Sequence, residues 1–229
     1  MIGINMENNS VETRKKINYS KKLFGFKKKI LYSFFKRFFD MVSSLLALIV
    51  LFLPMLIIGM LVKFQDGGTV FFKQKRVGKN GKIFFMYKFR SMVPNAEQML
   101  IELKAKNNGK ELLFKLDNDP RITKFGRFLR RTSIDELPQL INILKGDMSV
   151  VGPRPCLISE AEKYLDEAYY RFSVPQGLTC LWQVSGRSDL PFEKQVELDR
   201  TYVNKRSLMY DFYLLLKTIP AVLTQKGAK

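Results

Sequence analysis

Between Met41 and Val62 the chain runs for 22 residues without a charge (MVSSLLALIVLFLPMLIIGMLV). As one helix this run would be about 33 Å long, enough to cross a hydrocarbon core of roughly 30 Å. Pro54 falls inside it. Proline removes a helical hydrogen bond, so a kink is predicted there, with halves 41–53 and 55–62 each too short to span alone. Both flanks are basic: residues 1–40 hold ten Lys/Arg against three acids, and residues 63–100 hold eight against two. Basic flanks favour the cytoplasmic side, and a spanning helix would put one of them outside. A segment that enters and returns on one face satisfies both flanks; a span is the alternative.

Other patterns place the remaining elements. Residues 1–30 are polar and then basic (Arg14-Lys15-Lys16, Lys21-Lys22, Lys27-Lys28-Lys29). They read as a flexible tail, either solvated or lying on anionic headgroups. Thr69–Val77 and Lys82–Arg90 are β-branched and aromatic runs around Gly78-Lys-Asn-Gly81, which predicts a β-hairpin. Period-two alternation puts Lys88 and Arg90 on one face of the second strand. Asn95 to Asn107 reads as an amphipathic helix stopped by Asn108-Gly109. In Ile122 to Arg131, Phe125, Phe128 and Leu129 fall on one side of a basic helix, either core-facing or lying at a lipid interface. Phe192 to Asn204 is helical in pattern. Ser207 to Leu223 is an apolar helix that Asp211, Lys217 and Pro220 disqualify as a second span. It is expected in the interface or against the first segment.

The fold class that follows is α+β and mostly helical: a membrane-associated domain with one kinked re-entrant helix, interfacial amphipathic helices and a small β-hairpin. Residues 31–65 form the membrane element, and 66–229 form a domain on the cytoplasmic face.

Charge and composition narrow the chemistry. The 229 residues carry a formal net charge of +18, which favours a polyanionic partner: nucleic acid, anionic lipid or a phosphorylated substrate. The membrane segment and the lack of a base-reading motif argue against nucleic acid. There is no histidine. That excludes Ser-His-Asp and Cys-His catalysis, histidine bases and histidine-ligated metals, and leaves carboxylates to do nucleophilic or metal work. The two cysteines, Cys156 and Cys180, read as buried, reduced side chains.

The densest polar stretch is Asp119 to Pro155, centred on Arg130-Arg131-Thr-Ser133-Ile-Asp135-Glu136-Leu-Pro138. Two readings of Asp135 stand together. Ser133-x-x-Glu136 matches a capping box, and Pro138 favours Asp135 as a helix N-cap. The same position would hold a carboxylate where a helix attracts anions. Arg130 would then neutralise a phosphate approaching an aspartate nucleophile. Glu136 beside it would suit Mg²⁺, a cation of oxygen ligands and phosphates. Gly152-Pro-Arg154-Pro155 reads either as an ordinary turn or as a stiff loop aiming a guanidinium at phosphate.

Together KFRSM, DPRITKFGRFLRRTSIDELPQLINILKGDMSVVGPRP and LTCLWQVSGRSD resemble the bacterial sugar transferases that start surface-glycan assembly, the monotopic polyprenyl-phosphate phosphoglycosyl transferases. The likeness runs from about residue 33 to the C-terminus. It implies a Mg²⁺-dependent enzyme moving a sugar 1-phosphate from a UDP-sugar to polyprenyl (undecaprenyl) phosphate with release of UMP. It maps the covalent aspartate onto Asp135 and its metal-binding or activating partner onto Glu136. It maps substrate-binding or essential positions onto Lys88, Arg130, Arg154, Arg187 and Asp199, and the membrane kink onto Pro54. Anionic lipids and other glycan-assembly enzymes are the implied partners, for exopolysaccharide or capsule synthesis at the cytoplasmic face of the bacterial membrane. A non-catalytic membrane scaffold is the alternative function. Two positions depart from the family pattern: Leu53 precedes Pro54 where serine is usual, and Cys180 stands where glycine is usual. The chain corresponds to the family's short, catalytic-core form.

Overall fold

A computed structural model describes residues 29–106, 119–162, 164 and 166–224. The basic tail through residue 28 and the Asn108-Gly109 stop lie outside the described residues.

Two helices open the fold, α1 (Ile30–Val50) and α2 (Phe52–Asp66). They meet at Leu51 and are bent by 64° relative to one another, and among the described residues no single helix is long and apolar enough to cross a membrane. The break precedes Pro54 by three residues instead of falling on it. The cause is local: the proline ring crowds the carbonyl one turn back, at Val50. Pro54 is the third residue of α2, where no N–H is required.

α1 is polar on the side facing the domain. Lys36, Asp40 and Ser44 recur every fourth residue and are buried, while Phe34, Phe35, Phe38, Leu45, Leu46 and Ile49 are exposed. That is the reverse of a helix at the surface of a soluble protein. The polar stripe is fully used. Lys36 Nζ and Tyr32 Oη each donate to Asp211 Oδ2 at 2.7 Å. Arg37 donates to the carbonyls of Ile143 and Leu144 at 2.6 and 2.8 Å. Asp40 Oδ1 accepts from the Val150 amide at 2.9 Å. At the end of α2, Arg90 forks onto the Asp66 carboxylate and also donates to Thr69 O and Val62 O. Both legs of the bent pair are thus bonded to the domain.

The hairpin forms as predicted. Strands β1 (Phe71–Val77) and β2 (Ile83–Phe89) pair antiparallel from Phe71↔Phe89 to Val77↔Ile83. The turn places Asn80 and Gly81 at φ 59° and 74°, the left-handed region that Asn-Gly tolerates. Phe84 and Met86 pack on Leu140 and Ile143, and Ala47, Leu48 and Leu51 of the bent pair close over them.

Helix α3 (Ala96–Lys106) lies within its predicted span, and α4 (Lys124–Arg131) follows Thr123, whose Oγ1 accepts from the Gly126 amide at 2.8 Å. The apolar side of α4 is split. Leu129 is fully buried and Phe125 packs beside it, but Phe128 remains 44% exposed.

Beyond α4 come α5 (Gln139–Lys145), β3 (Met148–Val151), α6 (Ile158–Ala161), β4 (Gln176–Thr179), α7 (Leu181–Ser185), α8 (Phe192–Lys205) and α9 (Leu208–Thr224). β3 and β4 form a two-stranded parallel sheet, with Met148 opposite Gln176. α9 packs on α1 through Asp211, and its outer side exposes Met209, Phe212, Leu216 and Ile219. The expectation that it lies against the first segment is met.

Candidate active site

The dyad sits in a tight turn between two helices. Thr132 ends α4. Ser133 then takes a left-handed conformation, φ 59°, Ile134–Glu136 form one 3-10 turn, and α5 starts at Gln139. The capping reading of Asp135 fails. Ser133 turns the chain out of the helical path, Pro138 occupies the N-cap of α5, and neither makes a side-chain cap bond. Asp135 is buried and points at Lys88, not at backbone amides of α5.

Two cations converge on the pair. Lys88 Nζ donates to Asp135 Oδ2 at 3.2 Å and to Glu136 Oε1 at 2.7 Å. Arg154 Nη2 donates to the same Glu136 oxygen at 2.8 Å. These contacts separate two chemically similar groups. Burial would raise the Glu136 carboxyl, but Arg154 and Lys88 outweigh it and hold Glu136 well below the usual carboxylate range. Burial lifts Asp135 above that range against the pull of Lys88, and the Glu136 charge adds to the rise. Adjacent carboxylates pushed apart in this way take different roles. Glu136 is a fixed anion. Asp135 is the more basic group and the less compensated one.

Arg130 reaches the site from the last turn of α4. Its Nε donates to Ser91 Oγ at 2.9 Å. Gly126, one turn earlier, makes this possible: a Cβ there would stand 2.0 Å from the Ser91 carbonyl oxygen. Arg187 follows Gly186 in a left-handed turn, φ 53° and 153°, and its charge acts on Glu136. Lys88, Arg130, Arg154 and Arg187 all line one open cleft of about 1620 Å³ with the dyad. That exceeds the roughly 300–1,000 Å³ of a typical small-molecule pocket.

Asp199 is the predicted site residue that the fold does not bring to the cleft. It is 2% exposed, lies on α8 behind the wall, and pairs with Arg171 at 3.0 Å. Burial pushes its carboxyl up to about 6.

The sequence profile of the family described as bacterial sugar transferase matches residues 31–225. The chain belongs to the bacterial sugar transferase family. It is 47% identical over 199 residues to the undecaprenyl-phosphate galactose phosphotransferase of Salmonella typhimurium, covering 85% of this chain and 42% of that protein. It is 44% identical over 214 residues to the galactosyl transferase CpsE of Streptococcus agalactiae serotype III, covering 93% and 46%. The exopolysaccharide production protein ExoY of Sinorhizobium fredii is 43% identical over 197 residues, covering 84% and 87%. The chain thus spans under half the length of the first two relatives and most of the third.

Within this family member, three cleft residues are not among the site positions expected from the sequence. Gln74 and Arg76 face Met86 and Phe84 across the hairpin, so they share a face with Lys88. The Asn-Gly turn and period-two alternation hold that information. Arg76 donates to the Pro155 carbonyl at 3.1 Å, beside Arg154. Trp182, the chain's one tryptophan, also lines the cleft. Cys156 and Cys180 are buried and unbridged as expected. Cys180 has extended backbone, φ −143°, so this departure from the family's glycine requires no strained conformation.

Mg²⁺ fits the donor set in one manner. Among the described residues no three His, Cys, Asp or Glu side chains cluster as a cage. Two adjacent carboxylates suit a cation that takes one or two protein oxygens and completes its shell with phosphate and water.

Proposed function

We propose that this protein transfers a sugar 1-phosphate from a UDP-sugar to undecaprenyl phosphate, releasing UMP, as the first membrane step of exopolysaccharide or capsule assembly. The observation that carries the reading is the Asp135–Glu136 pair, pushed apart in basicity and ringed by cleft cations, on a domain bonded to a bent apolar helix pair. The names of the relatives agree with it.

In the first half-reaction an Asp135 oxygen attacks the β-phosphorus of the UDP-sugar. The bond from that phosphorus to the bridging oxygen breaks, and its electron pair leaves with UMP. An aspartyl phosphosugar remains. In the second, a phosphate oxygen of undecaprenyl phosphate attacks the same phosphorus. The Asp135–phosphorus bond breaks, the carboxylate is restored, and undecaprenyl diphosphate sugar departs. Lys88, Arg130 and Arg154 offset the repulsion between an anionic nucleophile and an anionic substrate. Glu136, fixed in its charge, keeps Lys88 and Arg154 in place. Glu136 would be the residue to hold Mg²⁺ beside the substrate phosphates, and the cation would supply further charge neutralisation there.

The bent pair enters the cytoplasmic leaflet and returns. It places the cleft where a soluble nucleotide sugar and a lipid phosphate both have access, on a membrane surface of anionic lipid.

UMP release is to be measured in a detergent-solubilised preparation with undecaprenyl phosphate, Mg²⁺ and a panel of UDP-galactose, UDP-glucose and UDP-N-acetylhexosamines. Turnover is expected with at least one. Asp135→Asn is expected to lower it by at least about a thousand-fold and to abolish trapping of labelled sugar phosphate on the protein. A variant that keeps near-normal rates removes the covalent assignment.

A further inference from the structure

Arg154 is held where it can meet Glu136 by the loop that carries it. That loop is bonded at each backbone step. The Gly152 amide donates to Thr179 O at 3.0 Å and the Gly177 amide to Pro153 O at 2.9 Å. Arg76 Nη1 donates to Pro155 O at 3.1 Å. The carbonyl of Arg154 itself accepts from Arg171 Nη2 at 2.6 Å. Two of these four come from backbone amides, and the other two from the guanidiniums of Arg76 and Arg171, both in the cleft wall.

Arg171 is 5% exposed. Its Nη1 donates to Tyr164 Oη at 2.5 Å, and the guanidinium lies 5.2 Å from the Tyr164 ring and 5.8 Å from that of Phe172. Its counter-charge is Asp199 at 3.0 Å. The pair is incompletely satisfied: Arg171 Nε and both Asp199 oxygens lack a well-aligned hydrogen bond among the described residues. A buried ion pair of this kind adds little stability, and apolar replacement is often neutral or favourable. Stability therefore does not account for it. Arg171 and Tyr164 form part of the cleft wall, and the hydrogen bond that ties Arg171 to a cation of the site is the one to the Arg154 carbonyl.

We infer that Arg171 and Asp199 are a positioning pair for Arg154. Asp199 neutralises and orients Arg171, Arg171 fixes the Arg154 carbonyl, and the Arg154 side chain is thereby aimed at Glu136. Asp199 acts on the reaction through two residues and does not touch substrate. This rests on the transfer reaction proposed above, with Arg154 in its cleft.

The test combines Arg171→Met with Asp199→Leu, which removes both charges at similar volume. The variant is expected to melt within a few degrees of the parent protein, yet to release UMP about 100-fold more slowly, the order that misplacement of a working group costs. The fall is expected in kcat more than in KM. In an Arg154→Ala background the same two changes are expected to lower the rate less than about threefold, because the group they position is gone. A further 100-fold fall there marks a general structural role and overturns the inference. If the double variant does not fold, Asp199→Asn is carried through the same cycle with the same criteria. Parent protein that releases no UMP from any UDP-sugar defeats the proposed reaction instead. The positioning claim then stands on a crystal structure of the variant: Arg154 Nη2 is expected beyond 4 Å from Glu136, and an unmoved Arg154 overturns the claim.

Discussion

Two neighbouring carboxylates with opposite shifts define the chemistry at the scale of single residues. In the proposed reaction Asp135 works as an anion, so its protonation would stop the first half-reaction. Its carboxyl sits above the usual range because of burial, and Lys88 opposes that rise. As pH falls, activity is therefore lost earlier than an ordinary aspartate would dictate. The acid limb of kcat/KM for the UDP-sugar is expected at higher pH than an ordinary aspartate would set. Lys88→Met removes the opposing charge and is expected to move that limb further up, in addition to lowering the rate. A limb that stays or moves down in Lys88→Met places the controlling group elsewhere. The dyad was legible in the sequence because two acids beside two arginines stand out. Its backbone was not: the left-handed turn falls on Ser133, where neither glycine nor asparagine advertises it. That hidden turn is why a capping box could be read where none forms. Asp199 illustrates the converse. Resemblance alone marked it as a candidate, and its burial beside Arg171 is a tertiary fact.

Elements set these residues in place through close backbone contacts. Gly126 lets α4 rest on the Ser91 carbonyl, which puts Arg130 beside Ser91 and the dyad. Gly126→Ala forces a Cβ into that oxygen and is expected to cost about 1–3 kcal/mol, measured by thermal or denaturant unfolding in detergent. UMP release is expected to fall with it, as Arg130 shifts away from the cleft. Unchanged stability and rate would show that the two segments separate without consequence. Glycine is likewise required where β4 meets the arginine loop, since a Cβ on Gly177 would come within 2.1 Å of the Gly152 nitrogen. The hairpin was readable because two seven-residue strands alternate around Asn-Gly. The parallel pair was not, because Met148–Val151 and Gln176–Thr179 are four residues each. Four residues give no usable period, and their pairing depends on contacts distant in sequence.

For the whole molecule, the bend angle limits how deep the helix pair goes in the proposed membrane placement. α2 has 15 residues, about 22 Å of helix. If both legs incline equally, a 64° bend tilts each about 32° from the membrane plane, and α2 descends about 12 Å. That stays within one leaflet of a hydrocarbon core of roughly 30 Å. Cysteines introduced at Gly25 and Lys79 are expected to react with a membrane-impermeant reagent from the cytoplasmic side alone. Labelling from opposite sides would make the pair a span. The charge balance of the flanks predicts re-entry, which this labelling tests, and Pro54 predicts a break, which the fold places at Leu51. The site of the break, and the polar stripe facing inward, came only with the fold.

That stripe also bears on where this protein can be taken apart. Asp40 satisfies the Val150 amide on β3, and Lys36 neutralises Asp211 beneath α9. Cutting off the first helix would strip an acceptor from one strand and a counter-ion from a buried acid. The first helix is therefore not a detachable handle: a truncation without it would lose part of its own interior, and a borrowed apolar helix would lack the side chains to replace it.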